Sequence, residues 1–120
     1  MKRNFFLTVL LLAAVHVFAF ANEGRPLEKV LVYATVQEGK VLKLNLANLQ
    51  KIRTLVTLKD LKGNTCYSKV IRKHNGFFSK LNLSKLRKGK YILAVSNGDE
   101  LISQVVVIND DGLVLSALTR

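Results

Sequence analysis

The chain has 120 residues and carries 19 Lys and Arg against 8 Asp and Glu, a net charge of +11. That length suits one domain around one core and excludes a multidomain machine. The single cysteine, Cys66, excludes an intramolecular disulfide, so stability must come from apolar packing alone.

The first residues, Met1-Lys2-Arg3-Asn4, precede the apolar run FFLTVLLLAAVHVFAFA, which ends in Ala19-Phe20-Ala21. Early cations, an apolar stretch and a small-residue end predict a signal peptide over 1–21, cleaved after Ala21. A retained anchor needs about 20 apolar residues; this run is shorter and contains His16. The expected mature chain is one domain, 22–120, with net charge +9 and no transmembrane segment. A basic exported protein can meet lipopolysaccharide or another anionic surface. Lysines on strand faces and edges also keep a β protein soluble, which explains the charge without a ligand.

After the leader, short apolar runs alternate with turn residues and no amphipathic helix is evident, the pattern of an all-β sandwich or barrel. A first strand is predicted over 27–36 and ends at Glu38-Gly39. The next, 40–47, alternates, with Leu42, Leu44 and Leu46 on its buried face. Strands over 53–61 and 65–73 flank Lys62-Gly63-Asn64, where Gly63 suits a hairpin position of positive φ. His74-Asn75-Gly76 leads into 77–83; strands over 90–96 and 100–108 enclose Asn97-Gly98, making seven strands. YILAV and VVVI are apolar on both parities, as in central strands covered on both sides. Residues 109–120 read as a loose tail or a short edge strand.

The segment KLNLANLQK (43–51) matches KLNLSKLRK (80–88) at six of nine positions. Two equivalent corners, each carrying the chain between sheets past an isolated Leu49 or Leu86, would produce that echo. Chance likeness between Leu- and Lys-rich segments would produce it too.

The stretch LSKLRKGKY (83–91) explains why an alternating strand stops and restarts. Ser84 is expected to bond the backbone ahead of it, Leu86 to drop into the core, and Gly89 to take a conformation that a Cβ resists. Tyr91 is expected to turn its ring inward and its hydroxyl to a backbone group upstream, the tyrosine corner of immunoglobulin-like sandwiches. Lys85, Arg87, Lys88 and Lys90 then lie on the solvated outside of the corner, where they could contact an anionic partner.

With these pieces in view, residues 56–71 and 77–108 resemble the C-terminal sorting domain of the type IX secretion system of Bacteroidetes. The resemblance rests on the Asp60 to Gly63 hairpin, Leu83-Ser84-Lys85-Leu86, Gly89-Lys90-Tyr91 and the Val-rich strand Val105 to Ile108. It implies an immunoglobulin-like antiparallel β-sandwich that crosses the outer membrane with its cargo and is afterwards cut off or anchored. Here the leader runs directly into the first strand and the chain continues 12 residues past Ile108, so a stand-alone exported relative is expected.

Catalytic chemistry is not suggested. The carboxylates fall at turns and strand ends, and His74 has only Cys66 near it in sequence, too little for zinc or a Cys-His nucleophile. Cys66 is expected to be a half-buried strand residue. NDDG (109–112) lacks the alternating ligands of a calcium loop and reads as an Asx turn. Tyr and Phe do not interleave with the cations, so nucleic acid is not an expected partner. The expectation is therefore a protein without catalytic residues, cofactor or metal, located in the periplasm, at the outer surface or outside the cell. Its expected role is a binding or structural module of the envelope; the alternatives are a sorting signal read by the secretion machinery, and a binder of acidic polysaccharide or lipopolysaccharide through the basic corner.

Overall fold

A computed structural model describes residues 29–120; the expected leader lies outside them. Eight strands follow in order: β1 (Leu31–Gln37), β2 (Val41–Ala47), β3 (Thr54–Asp60), β4 (Thr65–Ile71), β5 (Phe77–Asn82), β6 (Gly89–Asn97), β7 (Glu100–Asn109) and β8 (Gly112–Leu115). They form a three-stranded sheet in the order β1-β2-β5 and a five-stranded sheet in the order β4-β3-β6-β7-β8. Every pairing is antiparallel.

The alternation in β2 sets the small sheet. Leu42, Leu44 and Leu46 are buried, while Lys43 and Asn45 lie on the other face. Register places Val32 and Ala34 beside Leu46 and Leu44, and Leu81 beside Leu42. Opposing them from the large sheet are Val56 and Leu58 of β3, Tyr91, Leu93 and Val95 of β6, and Ile102, Val106 and Ile108 of β7, all in one cluster. Two antiparallel sheets closing on one apolar core make a β-sandwich. The chain changes sheets after β2, β4 and β5, as immunoglobulin-like chains do; β4 joins β3, where constant-type domains keep the fourth strand on the first sheet.

Of the two readings of the last residues, the short edge strand is the one present, an eighth strand: Asp110-Asp111 turn the chain back so that Leu113 and Leu115 pair with Ile108 and Val106. One feature differs from the sequence expectation. Strands β6 and β7 are central in their sheet but, among the described residues, covered on one face only. Tyr91, Leu93 and Val95 are buried, whereas Ile92 and Ala94, and likewise Val105 and Val107, are half-buried on the outer face. Apolar residues of both parities thus reflect mutual shading on a broad sheet rather than a second covering layer.

The last residues return to the sandwich. Ser103 and Thr119 exchange backbone hydrogen bonds, each 2.8 Å. Arg120 donates to Val30 O at 2.7 Å and pairs with Glu100, whose other carboxylate oxygen accepts from Val30 N at 3.2 Å. The entry to β1, the β6–β7 hairpin and the final residue are thereby joined at one end.

Candidate functional site

The opposite end of the sandwich holds the corner between β5 and β6. Leu83 N donates to Lys40 O (2.9 Å) and Leu86 N donates to Leu83 O (3.1 Å), which closes a tight turn. Leu83 is the deeply buried residue here, and Leu86 is half-buried against the core. The cap also comes from a neighbour of the expected residue: Asn82 Oδ1 accepts from Ser84 N at 3.0 Å, so the Asx turn belongs to Asn82. Gly89 takes φ +146°, which residues with a Cβ rarely adopt. Tyr91 buries its ring and donates from Oη to Arg87 O at 2.7 Å, four residues upstream. Burial pushes its phenol pKa up, and Cys66 and Asp60 nearby add to the rise.

Beside this corner sits the β3–β4 hairpin. Asp60 accepts from Lys62 N and Asn64 N, both at 2.9 Å, and from Asn64 Nδ2 at 3.0 Å. Those hydrogen bonds, the Asn64 side chain first, hold its carboxyl below the usual carboxylate range. Gly63, at φ +91°, closes the loop by donating to Asp60 O at 3.1 Å. Asp60 pairs in register with Tyr91, and Tyr91 in turn with Val106. The sequence elements at 60–63, 83–86, 89–91 and 105–108 therefore converge around one end of the large sheet. A shallow hollow of about 440 Å³ opens there, lined by Asp60, Lys62, Arg87, Lys88, Gly89 and Tyr91 among others.

Of the four cations expected on the corner, Arg87, Lys88 and Lys90 line this hollow and Lys85 does not; Lys62 of the hairpin joins them. All four corner cations are exposed. Lys88 Nζ lies 2.9 Å from Asp110 Oδ1, a contact with both side chains largely in water and hence of little energy.

The corner between β2 and β3 has its own fastening, which the sequence reading missed. Asn97, only 5% exposed, donates from Nδ2 to Thr54 Oγ1 (2.8 Å) and to Leu49 O (3.1 Å). Thr54 Oγ1 passes the chain on to Ile52 O at 2.9 Å. Asn75 serves the outside of the same turn, accepting from Leu49 N (2.9 Å) and Gln50 N (2.7 Å). The two copies of the KLNL echo lie on paired strands β2 and β5, and each leads across to β3 or β6, themselves paired. Leu49 is fully buried where Leu86 is half-buried. The only available hint of this network was an Asn of inward parity at the end of β6, where Asn97-Gly98 reads first as a turn.

Cys66 is exposed, against the expectation of a half-buried residue; on the edge strand β4 it is the extra residue of a bulge, between Tyr67, paired with Leu58, and Thr65, paired with Lys59. Asn109 Oδ1 accepts from Asp111 N at 3.0 Å, an Asx turn. No group of three or more His, Cys, Asp or Glu suited to a metal occurs among the described residues. No helix among them is long and apolar enough to cross a membrane.

Fold and corner together define an immunoglobulin-like all-β sandwich with a tyrosine corner. Over residues 36–109, from the end of β1 through β7, the chain matches the secretion system C-terminal sorting domain. It belongs to that family, a class of noncatalytic signal domains carried by exported proteins. No curated protein and no solved structure matches it significantly.

Proposed function

We propose that this domain is the signal by which the type IX secretion machinery recognises and exports the chain. The observation that carries the reading is the match over 36–109, which takes in all four sequence elements converging on the Tyr91 end. On this reading the leader, 1–21, takes the chain to the periplasm and is removed after Ala21. The folded domain, 22–120, is then read by the outer-membrane machinery, with the product at the cell surface or outside. The domain itself performs no catalysis. This reading is preferred to a stand-alone envelope module, because the family it belongs to is defined by sorting.

The test fuses residues 22–120 behind a periplasmic reporter in a host with a working type IX system. Arrival of the reporter at the surface or in the medium, dependent on that system, is the expected outcome. Retention in the periplasm refutes the proposal.

A further inference from the structure

The outer face of the small sheet is unlike the rest of the surface. Tyr33 is 58% exposed and Phe78 54%, the two aromatic side chains among the exposed large hydrophobics of the described residues. They are far apart in sequence, yet Tyr33 pairs with Asn45 and Asn45 pairs with Phe78, so the three residues form one row across β1, β2 and β5. With two strand spacings between them, the aromatic positions are about 10 Å apart. The adjacent row reads Thr35, Lys43, Lys80. No Asp or Glu occurs anywhere in these three strands.

Exposed aromatic rings lose the burial that would stabilise them in a core, and such patches mark interaction sites. The partner can be narrowed by chemistry. Two rings on one face of an antiparallel sheet, spaced like every second ring of an extended β-linked polysaccharide, offer apolar platforms to the C–H faces of sugars. Asn45 between them can bond hydroxyls as donor and acceptor, and Lys43 and Lys80 supply unopposed positive charge beside the row. By contrast, the strongly exposed apolar residues on the outer face of the large sheet are the aliphatic Leu101 and Val114, without that arrangement.

We propose that the outer face of the β1-β2-β5 sheet binds an acidic polysaccharide, with Tyr33 and Phe78 stacking on alternate sugar rings and Lys43 and Lys80 facing the carboxylates. This site is distinct from the Tyr91 end and independent of the sorting role. It is tested with the native processed protein by affinity electrophoresis and titration calorimetry. The probes are β-linked polymannuronate, its propylene glycol ester, and the neutral β-linked hydroxyethyl cellulose.

Polymannuronate is expected to bind, and Tyr33→Ala or Phe78→Ala to weaken it about tenfold each, with the melting temperature lowered by only a few degrees because both side chains are more than half exposed. Lys43→Gln with Lys80→Gln should remove the preference for the free acid over the ester. Replacing Lys85, Arg87, Lys88 and Lys90 with Ala should leave binding intact. The proposal is overturned if no probe binds, if the aromatic variants bind like wild type, or if the corner variant is the one that loses binding. Concentration-dependent dimerisation abolished by Phe78→Ala would overturn it too, by giving the face to a second copy of the chain.

Discussion

Asn97→Ala is the most informative perturbation of the fold. The side chain is buried and its amide donates twice, at 2.8 and 3.1 Å, to a corner 43 and 48 residues away in sequence. Each lost bond costs about 1 kcal/mol, and the vacated volume adds to that, giving about 2 to 4 kcal/mol in all. The cost stays below that of fully orphaned groups because Leu49 O keeps its bond from Ile52 N and Thr54 Oγ1 still donates to Ile52 O. In a domain of this size each kcal/mol moves the melting temperature by about 4 to 8 °C. The assay is urea unfolding followed by circular dichroism. Asn97→Asp sharpens the test: it keeps the shape but turns a carboxylate toward Leu49 O, so at neutral pH it should be worse than Ala. Burial raises the pKa of that carboxyl above its unfolded value, so the variant should regain stability relative to wild type as pH falls and the carboxyl protonates. If both variants unfold within about 0.5 kcal/mol of wild type, the network does not fasten the corner.

Tyr91→Phe removes one hydrogen bond to a carbonyl that water can reach, and should cost about 1 kcal/mol in the same assay. Leu49→Ala should cost about 3 to 5 kcal/mol and Leu86→Ala clearly less, because only Leu49 is fully buried; equal costs would contradict the packing at the two corners. Since the Asp60 pKa is lowered by folding, its contribution is present above the unfolded value and disappears as pH falls through the folded one. Wild type should therefore lose melting temperature on acidification more steeply than Asp60→Asn. Arg120→Ala should cost about 1 kcal/mol, part of it removable by salt, because the pair with Glu100 is partly exposed while the bond to Val30 O is partly buried.

Much of the sandwich was legible because its strands declare themselves locally. The alternating leucines of β2 and the inward Leu81 and Leu83 fix which faces are buried, and Gly63 and Gly89 mark backbone turns that few other residues make. What escaped the sequence depends on pairings between distant segments. Asn97 looks like half of an Asn-Gly turn until β6 is laid against β3 and Thr54 comes opposite it. The exposure of Cys66 follows from a register shift in the ladder between β3 and the edge strand β4, a property of pairing rather than of the residues 65–71. Tyr33 and Phe78 became neighbours only through the register of β2. Gly112-Leu-Val-Leu is short enough to read as tail or edge strand alike, and only the partner that β7 provides decides for the strand.

The joining of Val30, Glu100 and Arg120 has a consequence for anything tethered to the domain. Both ends of the described chain emerge on the same side, so a passenger on either would hang from the Glu100 end. The Tyr91 end, a full strand length away along β6, would point away from the load and stay open to whatever must reach it. On the proposed sorting role, such polarity would let one receptor surface handle passengers of any size, since bulk added at one pole does not change the shape presented at the other.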